Sequence, residues 1–287
     1  MLGVRGAKAF LECEDSVLKY ETLKVAIASE EAVVTLNRPD VRNAFNPTMI
    51  RDLTEVFAAI AARSDVAVVI LKGEGAGFCS GADLGYMKSM AGFSFAENEK
   101  DAEVLFDMFA TIRHLPQVLI AQLHGAAMGG ALGLVAVADI AAAEEKTQFC
   151  FSEVKLGLAP AVISPFVLER MHQATARRLM LTGEIFNAQV ARESAMIHLL
   201  GTAEQVGEFV AQQSLMIRRN GPEAVRATKA LLRMVGDLAE QPTTWSIVKK
   251  RTAQVISERR VSAEGQEGLK AFLEKREPTW RKEKVKK

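Results

Sequence analysis

The stretch AQLHGAAMGGALGLVAVADIAAAEEKTQFCFSEVKLGLAPAVISP (121–165) decides how the chain is read. It continues an apolar run, Val118 to Leu123, that predicts a buried strand. The chain then turns through Gly125, Ala126, Ala127 and Met128 into Gly129–Gly130, and Ala131 to Ala138 are small and apolar, fit for a buried helix. A glycine pair at a helix start leaves backbone N–H groups uncovered by side chains, and the helix dipole adds partial positive charge there. Glu153 follows among Phe149, Cys150, Phe151, Val154 and Leu156. A carboxylate desolvated by such neighbours has a raised pKa, which suits a general acid or base. The alternative is an exposed strand-end glutamate partnered by Lys155.

Outward from this stretch, the order strand–helix–strand–helix predicts an α/β layered core. Leu23–Ala28 and Ala32–Leu36 are β-prone runs that form a hairpin about Ser29–Glu30–Glu31. Asn46 caps a helix with Pro47 in its first turn, and Met49, Ile50, Leu53, Val56, Phe57 and Ile60 follow at helical spacing. Val66 to Leu71 is continuously apolar, the pattern of a strand covered on both faces. A helix is expected over 97–114 and a strand over Asp139–Ala143. Beyond residue 160 helical patterns run over 165–182, 187–195, 203–219, 222–239, 242–259 and 262–275, punctuated by Gly201, Asn220–Gly221–Pro222 and Gln241–Pro242. Residues 1–20 show no period and read as an N-terminal extension. Residues 21–215 form the core and 216–287 a C-terminal helical region, whose last residues, Lys282 to Lys287, read as a solvated basic tail.

Bulk numbers exclude several classes. With 287 residues, 49% hydrophobic and 25% charged, the chain has the composition of a soluble globular protein. A net charge of +1 makes no case for a nucleic-acid surface. No apolar run is long enough for a transmembrane helix. The three cysteines, Cys13, Cys79 and Cys150, have no CxxC spacing, so no metal site is expected. Glu12, Glu14 and Asp15 argue against a targeting peptide, which makes the cytoplasm the expected compartment.

A second amide-rich turn, Cys79–Ser80–Gly81, also follows a buried strand. If it converges with Met128–Gly129–Gly130, the two sets of N–H groups clasp one oxygen as an oxyanion hole; otherwise both are ordinary tight turns. The glycines from Gly73 to Gly81 do not fit the GxGxxG spacing of a dinucleotide loop. GFCSGAD is not a GxSxG elbow, so Ser80 matters for its N–H more than its hydroxyl. His114, His124, His172 and His198 are scattered, and only His124 stands beside a glycine turn.

Taken together, TLNRPDVRNAFN (35–46), GFCSGADL (77–84), HGAAMGGALGL (124–134), ADIAAAEEKTQFCFSEVKLGL (138–158), LTGE (181–184) and EGLKAFLEKREP (267–278) resemble the crotonase superfamily, the enoyl-CoA hydratases and isomerases, from about Leu23 to Trp280. The resemblance implies an α/β fold, a spiral core of ββα units with a C-terminal helical trimerisation region, and a homo-oligomer that is a trimer or a dimer of trimers. It implies a CoA thioester as substrate, with no metal or redox cofactor. The thioester carbonyl would be polarised by the amides of Ser80 and Gly130, with Glu153 as acid–base. Arg38, Asn43, Ala44, Ala82, Asp83, Leu84, Gly129, Phe272 and Lys275 match positions along the CoA path, the last two sometimes reaching across subunits.

The family's hydratases carry an earlier glutamate where this chain has Gly133. Glu97, Asp101 and Glu103 on the preceding helix are substitutes, or else solvated helix residues. The wording of ADLGYMKSM (82–90), AENEKDA (96–102) and FSEVKLGLAPAVISPFVL (151–168) resembles bacterial hydratases of leucine and acyclic-terpenoid degradation that act on 3-methylglutaconyl-CoA or a relative. Lys88 is then the candidate partner for a second substrate carboxylate. A hydro-lyase is therefore expected. An isomerase or a branched 3-hydroxyacyl thioester dehydratase or decarboxylase is the alternative, and a non-catalytic acyl-CoA binder lies behind both.

Overall fold

The computed structural model describes residues 18–90, 92–239 and 245–281. Residues 1–17 of the expected extension, residues 240–244 and the basic tail 282–287 lie outside the described residues. The chain opens with β1 (Leu18–Lys19), β2 (Leu23–Ala28) and β3 (Glu31–Leu36), paired antiparallel. The hairpin turn falls at Ser29 and Glu30, both at positive φ. Then come α1 (Pro47–Ala61), β4 (Val68–Gly73), α2 (Leu84–Met90), α3 (Phe95–Arg113), β5 (Val118–Leu123), β6 (Ala126–Met128), α4 (Ala131–Val137), β7 (Ile140–Glu144) and β8 (Gln148–Cys150). A short 3-10 turn, Glu153–Leu156, leads to α5 (Ser164–Arg170), α6 (Gln173–Thr182), β9 (Phe186–Asn187), α7 (Ala188–Glu193), β10 (Leu199–Gly201), α8 (Ala203–Arg218), α9 (Pro222–Ala239), α10 (Trp245–Val261) and α11 (Ala263–Leu273).

The strands make a seven-stranded sheet in the order β1-β2-β3-β4-β5-β7-β10 and a small sheet β6-β8-β9. From β3 to β10 the large sheet is parallel. The continuous apolar run of β4 is explained by its two covered faces. Val69 and Leu71 enter the main core with α1, α3 and α4, while Val68 and Ile70 pack with Val206 and Val210 of α8. The α1 reading holds in detail: Asn46 accepts from the Met49 N–H at 2.9 Å, and the six apolar residues named above are buried.

Three readings change. The segment 165–182 is two helices, because Met171 is extended and buried and the His172 N–H donates to Ser194 O. The helix α2 is additional, and so are the short strands β6, β8, β9 and β10. The boundary at 215/216 falls within α8, which runs on to Arg218.

The helix α9 docks at the N-terminal ends of the parallel strands. Arg226 donates to Arg63, Ser64 and Val66 carbonyls, Lys229 to Gln117 O and Asp139, and Arg233 to Arg113 O. A cavity of about 710 Å³ lies beneath it. The loops that follow the strands are at the other end, where sites gather in parallel sheets.

Candidate active site

The site is built from three loops at the carboxyl ends of the strands. The first, 38–45, is held by Asn43, which is fully buried at φ 56°. Its Oδ1 accepts from the Arg38 N–H and its Nδ2 donates to Glu74 O and Gly77 O, all at 2.9 Å. Asn43→Ala strands these three backbone groups and puts alanine in a left-handed conformation. It should cost about 3 kcal/mol, read as a fall of about 6–12 °C in the thermal midpoint.

The second loop follows β4. The Arg38 guanidinium donates to Ala44 O and, at 2.9 Å, to Asp83. The other Asp83 oxygen accepts from the Gly85 and Tyr86 N–H groups. Burial opposes the Asp83 charge, but these bonds outweigh it and hold the carboxyl below its ordinary value. Ser80 donates its N–H to Arg42 O at 3.0 Å and its hydroxyl to Val41 O. Gly81, at φ 84°, accepts from the Phe45 N–H, and the Asp83 N–H donates to Phe45 O. Between them the Ala82 N–H has no partner among the described residues.

The third loop, with Gly129 and Gly130, is zipped to the second: Cys79 N–H donates to Ala126 O and Met128 N–H to Cys79 O, each at 3.0 Å. The two amide-rich turns therefore converge, and a Cβ on Gly81 would stand 2.7 Å from Met128 O. Gly129, at φ 53°, donates to Cys150 O, while the Gly130 N–H is unpartnered among the described residues. Glu153 closes the site from the 3-10 turn. Its Oε1 would lie 3.4 Å from a Cβ on Gly129, and its Oε2 is buried with no partner among the described residues. Burial raises its pKa, and its own backbone N–H only partly offsets this. Lys155 turns instead to Cys150 Sγ, so the strand-end ion pair is not formed.

Several expectations are corrected. The Ser80 amide is consumed by Arg42 O, so Ala82 presents the free N–H of that turn. The side chains of Arg38, Asn43 and Asp83 bond one another and loop carbonyls, and Ala44 is buried, so these residues build the turn that carries the Ala82 amide. Leu84 is exposed at the start of α2. Phe272 and Lys275, expected along the CoA path and sometimes across subunits, lie at the end of the C-terminal helices. They end the α11 region, which Glu264 ties to the N-terminus of α9 at the opposite end of the sheet, and Phe272 is 81% exposed. His124 bonds Gly75 O as a loop staple.

Gly133 carries the feature that sequence reasoning could not reach. A Cβ there would lie 2.6 Å from two Phe109 ring atoms and 2.7 Å from Ile163. The space at Gly133 on α4 is filled by apolar side chains, and Phe45 meets Phe109 edge-on while also backing Gly130. Nothing in the local sequence marks Phe109 or Ile163 for this place, because the contacts are tertiary. Among the described residues no group of three or more His, Cys, Asp or Glu is placed to hold a metal, and no helix is long and apolar enough to cross a membrane.

A family model described as enoyl-CoA hydratase/isomerase matches residues 27–283. The chain belongs to that family, within the crotonase superfamily. It is 37% identical to a crystal structure of an enoyl-CoA hydratase from Shewanella pealeana, with TM-score 0.86 over 91% of this chain and 97% of the other. A putative enoyl-CoA hydratase/isomerase (crotonase) from Legionella pneumophila is 38% identical, with TM-score 0.83 over 90% and 98%. The enoyl-CoA hydratase ACTT6 of Alternaria alternata is 35% identical over 201 residues, 70% of this chain; the match spans 65% of that relative's length.

Proposed function

We propose that this chain is an enoyl-CoA hydratase that reversibly adds water to a branched or dicarboxylic enoyl-CoA such as 3-methylglutaconyl-CoA. The observation that carries the reading is the pair of amides unpartnered among the described residues, Ala82 and Gly130, on two interlocked turns beside the Glu153 carboxylate oxygen that likewise has no partner there. Glu153 takes a proton from water as the water oxygen bonds to Cβ of the enoyl group. The thioester oxygen becomes an enolate between the two N–H groups, and Glu153 returns the proton to Cα. No electrons are exchanged, so the CoA thioester itself is the only group required. Exposed Leu156, Leu158, Leu181 and Ile185 near the site, and Phe272 and Leu273 far from it, support assembly as a trimer or dimer of trimers.

A second reading, enoyl-CoA isomerisation, is favoured by the apolar filling at Gly133, since a 1,3-proton shift needs one base. Turnover of a panel of enoyl-CoAs in ¹⁸O water separates the two: label in the product supports hydration, and double-bond migration without label supports isomerisation. Binding of acyl-CoA with no turnover of any thioester sinks both and leaves a non-catalytic binder. Ala82→Pro deletes the free amide and should lower kcat by about 10²–10³-fold. A thermal melt of the same variant separates this loss from any effect of the proline on the Gly81 turn.

A further inference from the structure

The inner face of α3 changes character along its length. At the inner end it is apolar, with Phe109 pressed against Gly133. Four and eight residues back, the same face continues through half-buried Leu105 to Asp101, about 12 Å along the helix. Asp101 accepts a hydrogen bond from the Tyr86 hydroxyl. Tyr86 belongs to α2, which begins two residues after the Ala82 amide, and it is half-buried against the main core. Burial, and then Asp101, push the phenol pKa up, so Tyr86 keeps its proton and donates it in the hydrogen bond to Asp101.

Of the three carboxylates on this helix considered as substitutes for the missing glutamate, Asp101 is the half-buried one. Glu97 is spent on the capping box with Ser94, and Glu103 is exposed. Among the described residues no lysine or arginine pairs with Asp101, and its second oxygen has no partner. Lys88 is exposed and stands roughly 200° around α2 from Tyr86. The pair therefore offers acceptors only, the Asp101 Oδ2 and the phenol lone pair, with one formal negative charge.

Resting on the enoyl-CoA reading above, we propose that the Tyr86–Asp101 pair reads the far end of the acyl chain, accepting a hydrogen bond from a hydroxyl group there and rejecting a carboxylate. A hydroxyl supplies the donor the pair lacks. A carboxylate meets a like charge with no cation to offset it, a repulsive element that sets specificity. This keeps the enoyl-CoA hydratase reading but replaces its dicarboxylic example, 3-methylglutaconyl-CoA, whose second carboxylate the pair rejects, with a neutral, hydroxyl-bearing enoyl-CoA.

Calorimetric titration with saturated, unreactive acyl-CoA thioesters tests this. The series increases in chain length, and each length is made with a methyl, hydroxyl or carboxylate end. At the length that reaches the pair, the hydroxyl-ended ligand should bind at least about tenfold tighter than the carboxylate-ended one, a difference of about 1.4 kcal/mol. Asp101→Asn should shrink that gap to about threefold or less while leaving the methyl-ended Kd unchanged. Tyr86→Phe should weaken the hydroxyl-ended ligand and keep the carboxylate penalty. Equal binding of the two polar ends by the native protein overturns the proposal. So does an Asp101→Asn protein that keeps both the methyl-ended affinity and the full gap. If Asp101→Asn binds nothing, Tyr86→Phe decides: an unchanged hydroxyl preference overturns the proposal. Absence of turnover alone sinks the hydratase reading and leaves these binding ratios standing, whereas no binding of any thioester sinks both.

Discussion

Glu153→Gln should lower turnover of every enoyl-CoA substrate by about 10³-fold while leaving thioester affinity within a few-fold of native. The substitution is isosteric, so the packing of the side chain beside Gly129 is kept. What is lost is the carboxylate that keeps a buried, unpartnered oxygen at the interlocked turns among the described residues, because Asp83 is held by Arg38, and the space at Gly133, where the resemblance places the family's other glutamate, is filled. Hydration and isomerisation both need this base, so the result tests the site whichever reaction it runs. The pH dependence has a definite sign. Burial raises the Glu153 pKa above its ordinary 4.5, and the base must be ionised to act. The rate should fall as pH falls through that raised value, and this acid limb should be missing from the residual activity of Glu153→Gln. A carboxyl whose folded pKa is raised contributes stability below its unfolded pKa and loses it as pH rises through the folded one. Glu153→Gln should therefore be at least as stable as native at neutral pH, which sets a thermal melt against the kinetic loss. Full activity in the glutamine variant sinks the acid–base assignment.

Gly133→Glu, which introduces the glutamate that the resemblance places at this position in the family's hydratases, should destabilise the fold instead of improving hydration. The new Cβ alone would collide with Phe109 and Ile163 at 2.6–2.7 Å. All of α4 from Ala131 to Val137 is buried, so the helix has no free side to move toward. Overpacking costs about 1–3 kcal/mol, and a carboxylate placed in apolar surroundings without a partner adds about 2 kcal/mol or more. A drop in the thermal midpoint of about 10 °C or more, or loss of soluble protein, is the expected result. Gly133→Ala should show the steric part alone, a drop of about 2–10 °C. Combining Gly133→Glu with Phe109→Ala opens the space and should recover part of the loss. A Gly133→Glu protein with native stability and faster hydration would show that Phe109 yields, and that the site accommodates two carboxylates.

How much of this was legible beforehand differs from element to element. Asn46, Pro47 and the apolar spacing after them specified α1, because capping and amphipathic periodicity act within a few residues of one another. The break at Met171–His172 was not legible, since Met171 leaves the helix to be buried and the next N–H finds its acceptor at Ser194, far along the chain. The convergence of the two glycine turns was an expectation that strand pairing realises at Cys79 and Ala127. Which amide faces the site was not, because the Ser80 N–H is claimed by Arg42 O, a partner fixed by the left-handed turn at Arg42 and Asn43.

By itself the sequence determined the α/β layering, the covered strands, the two amide turns and the lone Glu153, all of which depend on local patterning and on motifs of contiguous residues. Tertiary structure alone decided that Ala82 and Gly130 hold the free amides, that Phe109 and Ile163 close the space at Gly133, and that the C-terminal helices sit at the far end of the sheet. Each of these turns on distance between groups remote in the chain, and on whether a polar group already has a partner, neither of which a linear pattern records.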